Sequence, residues 1–169
     1  HYVAELRAKG FVFDTHYLVE LLKDAFAQIP EALQQGQSRR GTWQDRNALS
    51  ELLLGDDPQA VVRALLDALR SGANEEEIAG TVAYAAALRV ARFHTSNEFG
   101  DWDTALHTFT FANAVHQGLR RLAGYSSPDS YLLLLRGGFD AAMSVYLDRF
   151  LNIPAARLPQ PMASADSKP

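Results

Sequence analysis

The chain contains no cysteine. Disulfides, zinc ribbons, a thioredoxin-type CxxC and an iron–sulfur cluster ligated within these 169 residues are therefore excluded. Positive charge is also scarce. Sixteen Lys and Arg stand against 20 Asp and Glu, for a net charge of −4. The basic footprint that a phosphate backbone needs is missing, so no nucleic-acid partner is expected. No apolar run reaches the roughly 18 residues of a membrane span. The longest, from Ile78 to Leu88, stops at Arg89, so no membrane partner is expected either. The opening HYVAELRAKG lacks the basic-then-apolar order of a signal peptide, and a cytoplasmic location is expected. GxSxG, Walker and GxGxxG motifs do not occur.

What is present is apolar bulk with helical punctuation. Apolar residues make up 47% of the chain, enough for one domain with a proper core. A first amphipathic helix spans about Thr15 to Leu33, with Leu18, Leu21, Leu22, Ala25 and Phe26 on one face and a kink expected at Pro30. A polar loop from Gln34 to Trp43 leads to a short helix ending at Gly55. Asp57 then caps a helix with Pro58 at its first position, and that helix stops at Gly72. Asn74, with Glu77 three residues on, reads as a capping box for a helix reaching about Thr95. Asp103 can cap the next helix, which ends before Gly124, and Ser127 caps a last long one. Only His107 to Phe111 alternates like a strand, and it sits among helix formers. The expectation is an all-α single-domain bundle of about six helices over 1–158, with a mobile Pro- and Ser-rich tail at 159–169.

One segment stands out. Three of the five histidines fall within the 23 residues from His94 to His116, together with Glu98, Asp101 and Asp103. His94 with Glu98, and Asp103 with His107, are i,i+4 pairs flanking Gly100. A hairpin about Gly100 would bring two imidazoles and two carboxylates together. His94, Glu98, Asp101 and His107 would then make a nitrogen–oxygen site suited to a transition metal, with iron the first choice over manganese or zinc. His94, His107 and His116 are equally candidates for acid–base work on a small organic molecule, with Phe99, Trp102, Phe109, Phe111 and Asn113 lining its site. His107 and His116, nine residues apart, point to opposite sides of one helix and cannot share an ion. The plain alternative is that Asp103 and Asp101 cap and hold the turn while the histidines are structural.

Two further features bear on that choice. The face Gly80, Ala83, Ala87, Val90 and Ala91, which leads to His94, is built of small residues. It serves either close helix packing or a pocket floor. The last helix carries Asp140, Tyr146, Asp148 and Arg149 inside a very apolar run. These read first as a buried Arg–Asp network, and alternatively as a proton-transfer role for Asp140 or Tyr146 beside Gly137 and Gly138.

The segments YAAALRVARFHTSNEFGDWDTALHTFTFANAVHQGLRR and GGFDAAMSVYLDRFLNIPAARLP resemble the helical region of bacterial Rieske-type 2Fe–2S proteins and, more distantly, questin-oxidase-like proteins. The resemblance implies an oxidoreductase setting with a redox partner domain. It does not bring a cluster with it, because a Rieske centre needs two cysteines. The stretch ANEEEIAGTVAYAAA is also similar to the AhpD-like helical fold, whose CxxC is absent here. The leading expectation is thus a helical oxidoreductase-type domain with a His/acid pocket. The alternative is a non-catalytic module that docks a partner domain or forms a homodimer.

Overall fold

Local capping chemistry sets several of the helix ends in the computed structural model, described over residues 15–122, 128–152 and 156. The described residues form six α-helices and one 3-10 turn, with no strand. The helices are α1 (Thr15–Gly36), α2 (Arg46–Leu53), α3 (Pro58–Arg70), α4 (Glu75–Ala91), α5 (Phe99–Leu122) and α6 (Pro128–Asp148). The chain is an all-α single-domain bundle. None of its described helices is long and apolar enough to cross a membrane. The 159–169 tail and Ser127 lie outside the described residues.

α1 runs through Pro30 to Gly36, beyond the expected end. Pro30 is exposed while Ala25, Ile29 and Ala32 on either side are fully buried, so packing holds the helix across the missing N–H. At Gly36 the end of α1 meets the end of α3 so closely that a Cβ would overlap the Leu69 carbonyl oxygen. Gly72, at φ +102°, takes a left-handed turn against the Arg39 carbonyl. Both glycines are therefore required by approach rather than by propensity.

The caps expected at Asp57 and Asn74 form. The Asp57 carboxylate accepts from the Gln59 N–H at 2.8 Å at the start of α3. At α4 the Asn74 side chain accepts from the Glu77 N–H and the Glu77 side chain accepts from the Asn74 N–H, each at 2.8 Å. α4 is buried on most sides, through Ile78, Ala79, Val82, Ala83, Ala85 and Ala86, which makes it the central helix. Leu135, Phe139, Met143 and Tyr146 of α6 recur at steps of three and four and are buried.

α4 and α5 run antiparallel. Arg120 reaches Glu76 at 3.5 Å, His116 lies over Gly80, and Trp102 packs on Phe93 with ring centroids 5.4 Å apart. The small-residue face of α4 is thus used for helix packing at its Gly80 end. A Cβ on Gly80 would stand 3.1 Å from His116 Nε2.

Candidate functional site

The connection between α4 and α5 differs from the hairpin expected about Gly100. α4 stops at Ala91, and α5 begins at Phe99, so Gly100 is the second residue of a helix. The break falls at residues 92–98 because distant groups hold it there. Phe93 drops into a small apolar cluster with Ala105 and Leu151. The buried Asn152 side chain accepts from the His94 N–H and from Asn97 Nδ2, both at 3.2 Å, and donates to the Arg92 carbonyl at 2.8 Å. α5 then starts on the Glu98 carbonyl, which accepts from the Asp101 and Trp102 N–H groups. Asp103 is not a helix cap, since it lies in the second turn of α5.

These positions separate the predicted ligands. His94 sits in the turn, half-buried, with Nδ1 2.7 Å from the Ser96 hydroxyl and also accepting from the Ser96 N–H at 3.2 Å. That bond leaves the ring proton on Nε2. Glu98 is exposed and lies outside both helices, so its spacing from His94 is not a helical one. Asp101 is buried in the first turn of α5. The Asp103–His107 pair does form, at 3.5 Å, but His107 is 78% exposed. Among the described residues, no group of three His, Asp or Glu side chains is placed to hold a metal ion.

The other candidates are spread over several surfaces. Burial holds the His116 imidazole pKa below its ordinary value. Nearby Glu76 opposes that shift, while Arg120 and Arg46 add to it. Asp140 shows the carboxylate counterpart, with partial burial raising its pKa. Phe109 packs on the main core and Trp102 on the small one. Phe99 is 84% exposed. Phe111 lies beside Gly137 of α6, and Asn113 accepts from Gln117 one turn on, at 3.5 Å. Tyr146 is buried edge-on to Phe150, with the Arg149 guanidinium 4.7 Å from its ring centre.

The network expected around the last helix centres on Arg89, a residue that sequence reasoning passed over. Arg89 is buried and donates from Nε to the Val145 carbonyl at 3.2 Å and from its terminal nitrogen to the Leu54 carbonyl at 3.1 Å. It ties α4 to α6 and to the end of α2. Desolvation depresses its pKa to about 10. Asp148 counters this, and Arg92 and Arg149 reinforce it. The available signal was phase, because Arg89 continues the buried Ile78, Val82, Ala85 stripe of its helix.

Comparison with protein-family models, with curated proteins and with solved structures finds no match to this chain.

Proposed function

We propose that the chain is a helical docking module that pairs with a second copy of itself through the outward side of α5. The observation that carries this reading is Phe99, 84% exposed at the start of α5, with Leu106, 47% exposed, seven residues further along the same face. Trp102 and Phe109, at the intervening steps of three and four, are half-buried against the two apolar clusters, so the uncovered part of this face is Phe99 and Leu106. The core-facing stripe of the same helix is Asp101, Ala105, Thr108, Ala112, Val115 and Leu119, mostly small or polar. Phe99 and Leu106 are thus left uncovered on α5, while Trp102 and Phe109 pack against the two apolar clusters.

Charge favours a second copy as the occupant. Asp103 lies near the start of α5, with Glu98 just before the helix, and Arg121 lies at its end beside Arg120, which is paired with Glu76 of α4. A two-fold antiparallel pairing sets the acidic end of one copy against the basic end of the other. Sedimentation across the micromolar range tests this. The native chain is expected to dimerise, and Phe99→Asp and Leu106→Asp to be monomers with unchanged helicity. A native chain that stays monomeric throughout overturns the reading. The metal-dependent oxidoreductase reading rests on the clustering of histidines and acids between His94 and His116 and on the sequence resemblance. Stoichiometric iron, lost in His94→Ala, would revive it.

A further inference from the structure

A hollow of about 210 Å³ lies between α2, α3 and the segment before α2. Its walls are apolar, from Leu49, Leu52, Ala64 and the half-buried ring of Trp43. The charged groups that line it are two carboxylates, Asp45 and Asp67, and no Lys, Arg or His lines it. Asp45 occupies the N-cap position of α2 but makes no capping hydrogen bond, which leaves its carboxylate available. Asp67 is shared with Arg70 at 2.8 Å, and Arg70 turns away to Gln28 of α1. Two other hollows of similar size carry arginines beside their acids, Arg63 and Arg70 in one and Arg40 in the other. Only the Trp43 hollow among these three combines an apolar lining free of cationic side chains with a carboxylate, Asp45, that has no ion-pair partner among the described residues.

The ligand complementary to that combination is a short alkyl chain ending in a cation. The chain removes the leucine and alanine walls from water. The ammonium meets the Asp45 carboxylate, with the Trp43 side chain also lining the hollow. We propose that the Trp43 hollow binds a small primary alkylammonium. This site uses no part of the α5 face and stands or falls separately from dimerisation.

Intrinsic fluorescence tests it, because the chain has two tryptophans, Trp43 and Trp102. In a Trp102→Phe variant, excited at the red edge where tyrosine does not absorb, the signal comes from Trp43. Titration with hexylammonium is expected to give a saturable change with Kd near or below about 1 mM. Hexanoate is expected to give none, hexanol a weaker response, and Asp45→Asn about a tenfold loss of hexylammonium affinity. Should Trp102→Phe fail to fold, saturation-transfer NMR of hexylammonium on the native chain and on Asp45→Asn, an exposed position, gives the same comparison. Hexanol binding as tightly as hexylammonium, an unchanged Asp45→Asn, or no saturation with hexylammonium overturns the proposal.

Discussion

α3 and α5 are built to opposite plans. α3 buries Val61, Val62, Leu65, Leu66 and Leu69, and turns Arg63 and Asp67 outward. α5 buries Ala105, Thr108 and Ala112, and turns Phe99, Leu106 and Phe111 outward. Both bury an apolar stripe, but α5 also leaves Phe99 and Leu106 uncovered. A helix of the first kind contributes to folding, since each buried leucine is worth roughly 1.5–3 kcal/mol. A helix of the second kind holds back that contribution and has it available for association.

Substitutions can break this contrast. The largest effect is expected at Leu65→Ala, which empties a fully buried site in α3 and costs roughly 2–5 kcal/mol in urea unfolding. The same truncation at Phe99 is expected to cost less than about 0.5 kcal/mol of folding stability while weakening the dimer. Equal losses at the two positions would erase the distinction between the helices. An intermediate effect is expected at Gly80→Val. The added side chain must displace His116, at a cost of about 1–3 kcal/mol, and NMR titration is expected to show the His116 pKa rising toward its ordinary value.

The smallest effect is one of pH. The folded-state pKa of His116 lies below its unfolded value of 6.5, so the unfolded chain binds the proton more readily. Its contribution is complete above pH 6.5 and is lost as pH falls through the folded pKa. His116→Gln is expected to flatten the stability profile on that acid side. Asp140 carries the opposite sign. Its raised pKa gives a contribution present below 3.8 and lost as pH rises through the folded value, and Asp140→Asn is expected to remove that slope.

Features that depend on near neighbours were legible in the sequence. The Asp57 and Asn74 caps each involve partners two or three residues away, and the α6 stripe is a simple period. Features set from afar were not. α4 ends at Ala91, and the clamp on the turn that follows is Asn152, 60 residues beyond Arg92. Once that end moved, His94 and Glu98 lost the helical geometry that had paired them on paper. Asp103 and His107, both inside α5, kept theirs. Gly100 marked no turn, because a Cβ there would meet nothing within 4 Å and the helix runs through it. Arg89 was hidden by its type, since a cation in an apolar run reads as an interruption until its carbonyl partners are seen.

The reach of Asn152 also bears on the order in which the chain can mature. During synthesis α4 and α5 leave the ribosome well before this amide does. Until then the Arg92 carbonyl and the His94 N–H lack the partner they have in the finished fold. The nascent helical hairpin therefore emerges with its bend unfastened, and one of the last described residues to be made is the latch that closes it.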